Sequence, residues 1–366
     1  MFSAIILVAA IGANHQQEPL FPRLFPNPTG QNALEYYVRA ADIAREARLN
    51  LWSPYLAETR NIPNRLEYEE RMAAPTKRIL DLVRAGNQFS LVLPEGKNSI
   101  LAYSGLKVIA KLAQQYSRVQ FVRGNPNQGI DTLLLVTEMS DKLYGAGGII
   151  PYLTAIAIDS IAFRGLHSAY TSISLNGAQQ ILGRLDVLDP HLIADLWQRE
   201  IAATDSAVRS GEEGYDVDAW AALRPKAQLL TTRLADLFAN DEGQWMNLST
   251  DLTRSEQKQL SQVRAVPDAY TAQRLVRTTV VNRTMRRLVR LHAHVAKYRW
   301  ESGQLPMSLD FLSEEERVDP AAGQPYVYQR FSEAAYDLYS PGDQYWGPIR
   351  LRVTRDTMLR GNPGPP

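Results

Sequence analysis

The residues able to do chemistry are scattered along the chain, and their spacing decides most cases. Ser104 and Lys107 stand three apart, as do Ser255 and Lys258. On a helix this spacing sets an amine one turn from a hydroxyl, as serine acyl-transfer enzymes of the penicillin-binding kind require. Ser140-Asp141-Lys142 partly matches the second motif of those enzymes, but no Lys-Thr-Gly comes after it. Five histidines occur, at 15, 167, 191, 292 and 294. His292 and His294 are two apart, so on a helix they point roughly 200° apart and cannot chelate one metal. His292 falls on an apolar stripe and is expected to be a hydrogen-bonded core residue. The acid pairs Glu212/Glu213 and Asp216/Asp218 sit in a loose acidic stretch, and glycoside chemistry needs another carboxylate facing them across a cleft. Tyr36, Tyr37, Trp52, Tyr55, Trp197, Trp220, Trp245, Trp300 and Trp346 have the chemistry to line a sugar or peptide groove, and equally to pack helices. No cysteine is present, which excludes disulfides, thiolate metal sites and cysteine nucleophiles. These residues imply no metal and no cofactor, and they favour a non-enzyme over an enzyme.

The strongest charge pattern lies on one helix. From 269 to 300 there is no proline, glycine or acid, but seven arginines and Lys297. Val281, Met285, Leu288, His292 and Val295 recur at steps of four and three and mark one apolar side. Arg283, Arg286, Arg287, Arg290 and Lys297 fall mostly off that stripe, and they are the candidate binding residues. They predict either a basic face for an anionic surface, polymer or acidic partner, or internal neutralisation. Asp310, Glu314, Glu315, Glu316 and Asp319 lie close downstream, and a chain reversing at Gly303 and Pro306 would bring them alongside. The net charge of +1 favours the internal pairing and gives no overall field for nucleic acid.

The segment after the helix is turn-rich. Gly303 suits a left-handed helix cap and Pro306 forbids continuation. Ser308 is placed to cap a single turn over 309–312. Tyr326-Val327-Tyr328 and 336–339 are expected to be two strands, with the helix as their floor. Gly303, Leu305-Pro306, Leu309, Leu312, Asp319-Pro320, Gly323, Pro325-Tyr326, Tyr328 and the 336–342 run ending Tyr-Ser-Pro-Gly-Asp together resemble the globular part of type II secretion major pseudopilins and related type IV pilin-like proteins. The resemblance covers about 65 residues, and it implies an α+β tail and a secretion-apparatus role. It also implies a calcium-binding loop, in which Asp343 would be the ligand. The whole chain is similar to a broad set of exported bacterial proteins with a helical body before such a tail.

The rest of the chain positions that tail. Residues 1–13, apolar over 4–11 and closing on Gly12-Ala13, resemble a secretory signal peptide. They are too short to span a bilayer, so no transmembrane helix is expected there. Residues 14–30, with prolines at 19, 22, 26 and 28, are expected to be an extended lead-in. Residues 31–265 are expected to be a helical body. Its helices fall near 32–48, 64–85, 99–116, 130–144, 150–170, 177–188, 190–210, 217–240 and 255–263. Asn32-Ala33-Leu34-Glu35 and Asn64-Arg65-Leu66-Glu67 are capping boxes opening the first two. The fold class is therefore mainly α: an antiparallel bundle or irregular array, then a long helix with a small antiparallel β unit over 266–350 and a tail over 351–366. The expected function is an exported, non-catalytic scaffold or binding protein of the periplasm or cell envelope, with a protein or envelope polymer as partner. An envelope hydrolase acting on glycan or peptide is the alternative, and a secretion-apparatus component the third reading.

Overall fold

The structure, a computed structural model, describes residues 19–46, 73–93, 99–167, 173–187, 191–209, 211, 217–239, 269–333, 335–342 and 348–353. It is mainly helical, with two small antiparallel sheets at the C-terminal end. The helices are α1 (Leu20–Leu24), α2 (Ala33–Glu46), α3 (Ala73–Gly86), α4 (Ser99–Val122), α5 (Pro126–Ala146), α6 (Ile149–His167), α7 (Leu175–Arg184), α8 (His191–Arg209), α9 (Val217–Ala239), α10 (Ala269–Ser302) and α11 (Glu314–Arg317). The strands are β1 (Val318–Asp319), β2 (Gln324–Pro325), β3 (Val327–Arg330), β4 (Tyr336–Ser340) and β5 (Ile349–Val353).

The expected mainly helical architecture holds, and the corrections are local. The lead-in contains α1, although its prolines argued for extended chain throughout. Pro19 caps this helix and Pro22 falls in its first turn, where a missing N–H leaves no intrahelical bond unmade. The Asp42 carboxylate then accepts from the Leu20 and Phe21 amides. At the start of α2, Asn32 accepts from the Leu34 amide. Glu35 does not close the box on Asn32; it reaches back to the Thr29 and Gly30 amides. Burial raises the Glu35 carboxyl, and these hydrogen bonds outweigh it, so the net shift is downward. The expected signal at 1–13, the second capping box at 64–67 and the helix near 255–263 lie outside the described residues.

Two apolar cores form, and α10 belongs to both. The larger gathers α2 to α6, α8 and α9, with Leu275, Val276 and Val280 from the first half of α10. The smaller joins Ile130, Leu133 and Leu134 of α5 and Ala178 and Ile181 of α7 to the second half of α10, from Leu288 to Ala296. It continues into Leu305, Leu309, Leu312, Tyr326, Tyr336 and Leu338 of the C-terminal unit. Helix α10 packs against α6, α7, β4 and β5. Helix α6 includes a window, Ile149–Leu166, long and apolar enough to cross a membrane by length and composition, and 61% of that window is buried within the protein.

The C-terminal unit keeps the expected hairpin and adds to it. Strands β3 and β4 pair antiparallel with Val327 opposite Tyr339 and Arg330 opposite Tyr336. A third strand, β5, pairs with β4 and reaches Val353, past the expected boundary at 350. Gly303 takes φ +79° at the end of α10, as a left-handed cap requires. The expected turn closes over 309–312, with the Leu312 amide donating to the Leu309 carbonyl, and a separate short helix, α11, follows it. Ser313 caps α11 in a reciprocal capping box with Glu316, whereas the Ser308 hydroxyl bonds Asp310.

Candidate functional site

Among the described residues, a dense cluster of polar side chains lies where α5, α6 and α10 meet. Ser140, Asp141 and Tyr144 share one end of α5, one helical turn apart or less. Asp159 lies midway along α6, and Asn282 and Arg286 lie one turn apart on α10. Asp159 is shut off from solvent, and Arg286 is 1% exposed.

Arg286 is engaged through all three nitrogens. Its Nε donates to Asp159 at 3.0 Å and its Nη1 to the Asp186 carbonyl at 3.1 Å. Its Nη2 lies 2.5 Å from Asp141 and 2.8 Å from Asp159. Burial opposes the charge on Arg286, but the carboxylates of Asp159 and Asp141 outweigh it and hold the guanidinium above its ordinary range. Asp159 also accepts from the Tyr144 hydroxyl at 2.8 Å and from the Ser140 hydroxyl. Burial, reinforced by the Asp159 carboxylate, pushes the Tyr144 hydroxyl well up, so it stays neutral and donates. Its one proton goes to Asp159. The Asn282 side-chain oxygen lies 3.3 Å from the same hydroxyl. Tyr152 of α6 and Thr279 of α10 extend the contact by one hydroxyl pair at 3.1 Å.

Asp141 differs from its neighbours because its side chain is 35% exposed. Burial raises its carboxyl to about 6, with Arg286 opposing and Asp159 and Asp186 adding to the rise. The arrangement can store charge and join helices. A nucleophile is a different matter: Ser140 is 0% exposed, and its hydroxyl lies between the Thr137 carbonyl and Asp159. Lys142 points elsewhere, donating to the Phe89 carbonyl. The Ser-Asp-Lys run therefore brings no lysine to that hydroxyl. Ser104 and Lys107 both lie on α4, and Ser255 and Lys258 lie outside the described residues.

The predicted basic face does not form as one surface. Arg283 and Arg286 are 2% and 1% exposed, and Arg286 is turned into the contact with α5 and α6. Arg287 is half-buried. Arg290 donates to the Leu182 and Leu185 carbonyls at the end of α7, where a cation complements the helix dipole. Lys297 is 3.9 Å from Glu301. Neutralisation is internal for Arg286, but its acids come from α5 and α6 rather than from the 310–319 stretch. That stretch meets α10 through His294, 3.2 Å from Glu316. Burial lowers the His294 imidazole, with Glu316 opposing. His292 is 1% exposed and bonded through Nδ1 to the Tyr336 hydroxyl, the core role expected of it. Trp197 and Trp220 are buried; Trp300 is 59% exposed and its indole donates to the Ile173 carbonyl. Asp343, 212–216 and the other singled-out tryptophans lie outside the described residues.

Sequence reasoning missed Asp159 and the role of Arg286. An acid in the most apolar helix was the available signal, since a buried carboxylate must find a partner. No protein-family model matches the chain, and no curated protein or solved structure matches it.

Proposed function

We propose that the chain is an exported, non-catalytic scaffold of the cell envelope, whose helical body carries a C-terminal helix-and-sheet unit to a protein or polymer partner. The observation that carries this reading is Arg286. Its charge is spent on Asp141 and Asp159 in joining α5, α6 and α10, and each nitrogen of the guanidinium already has a partner within the fold. Function then falls to the outer surface. The signal-like residues 1–13 support export, and the resemblance of the tail supports an envelope setting.

The hydrolase reading has less support. A cleft of about 530 Å³ lies between α1, α2 and α3. Its Asp42 is held by backbone amides and Arg45, and its Asp81 by Arg84. Glu46 is the third carboxylate lining the cleft. The secretion-apparatus reading rests on the tail alone.

Cell fractionation with sequencing of the mature N-terminus tests export. The reading expects an envelope fraction and a new terminus near Ala13; cytosolic protein retaining Met1 would overturn it. Crosslinking in the intact envelope tests the partner. Reproducible adducts are expected, and adducts confined to the background set would count against a scaffold.

A further inference from the structure

The C-terminal unit carries a groove that the core does not use. It is about 430 Å³ and is lined by Met307, Leu309, Glu314, Arg317, Pro325 and Tyr328, among others. Met307 is 84% exposed. The Met307 sulfur meets the Arg330 guanidinium, at 3.4 Å, and its flexible thioether adapts to varied apolar partners. The groove is also built on a rigid frame. Tyr328 donates to the Pro306 carbonyl, Arg330 to the Leu305 carbonyl, and Ser313 caps α11 beside it.

Charge sets the kind of occupant. Arg317 is taken by Asp310 at 2.7 Å, and Glu316 by His294. Glu314, on the groove wall, and the adjacent exposed Glu315 have no side-chain partner among the described residues. An apolar floor beside unmatched carboxylates fits a side chain of the opposite pattern. Such rim charges set partner choice and association rate more than total affinity.

We propose that this groove docks a segment of a partner protein that presents a lysine or arginine beside an exposed apolar side chain. The inference rests on the reading of the chain as a binding protein and names its surface and partner class. It is tested with the full protein immobilised against a synthetic library of short random peptides. Retained members should be enriched in a base adjacent to Leu, Met or Phe. Glu314→Lys together with Glu315→Lys should weaken the best peptide by about tenfold and shift retention toward acidic peptides. Met307→Asp should weaken it without that shift. All these positions are exposed, so unchanged melting of the variants confirms intact folds. No enrichment, or equal retention by the variants, would overturn the groove as the docking site. Crosslinking of the same variants in the envelope separates the two readings. Partner adducts that survive the substitutions reject the groove but keep the scaffold, whereas the absence of adducts with the wild type rejects the scaffold itself.

Discussion

The Arg286 guanidinium lies 2.8 Å from a carboxylate oxygen of Asp159, 127 residues earlier in the chain, and the two side chains are 1% and 0% exposed. Two charges this deep hold only because each finds several partners. Asp159 takes Ser140, Tyr144 and Arg286, while Arg286 takes Asp141, Asp159 and the Asp186 carbonyl. The pair therefore fixes the register of α5, α6 and α10 against one another, as a buried ionic contact can.

Removing one partner leaves the other charged and buried. Arg286→Met should cost about 3–5 kcal/mol, and Asp159→Leu a similar amount. The double variant should recover much of that loss, because an apolar contact replaces both charges. Chemical denaturation of the three variants measures this. Purely additive losses would mean that the pair is not the unit.

Asp141 gives the pH dependence. Its carboxyl is raised from 3.8 to about 6, mainly by burial, so the folded state holds a proton that the unfolded state releases. Its stabilising contribution is full below the unfolded value and is lost as pH rises through about 6. The melting temperature should accordingly fall between about pH 4 and pH 6 for this group, and Asp141→Asn should flatten that part of the curve. A wild-type curve that rises through the same window, with the variant unchanged, would contradict the assignment.

Helix α6 starts under an acid from another helix. Glu200 of α8 accepts from the Ile149 amide at 2.9 Å, and a Cβ on Gly148 would stand 1.9 Å from the same carboxylate oxygen. Gly148→Ala can be accommodated only by swinging Glu200 away, which removes the cap. A loss of about 1–2 kcal/mol is expected, matched by Glu200→Ala and not additive with it. Thermal melts of the two single variants and the double variant decide it.

The sequence carried the helix periods, the Gly303 stop and the hairpin, because apolar spacing and turn residues report local structure directly. It carried much less of the polar site. Treating α10 as amphipathic placed Arg283 and Arg286 on an outer face, whereas both are buried, Arg286 against α5 and α6. The acids meeting Arg286 lie 145 and 127 residues away, a pairing set by tertiary packing and invisible to local spacing. The nearby 310–319 acids looked like the natural partners because they were close in sequence. They instead cap α11, pair Arg317 and meet His294. Reversing Glu314 and Glu315 to lysine should leave the melting temperature near the wild-type value, and reversing Arg290 should not rescue any change. A large drop restored by that second reversal would reinstate the sequence-local pairing.

Arg286 ties the C-terminal unit to the helical body, and one measurement tests this most directly: amide hydrogen exchange followed across α5, α6 and α10 in wild type and Arg286→Met. Protection in 133–143, 155–163 and 280–295 should fall together and by a similar factor in the variant. Protection lost in α10 alone, with α5 and α6 unchanged, would contradict the tie.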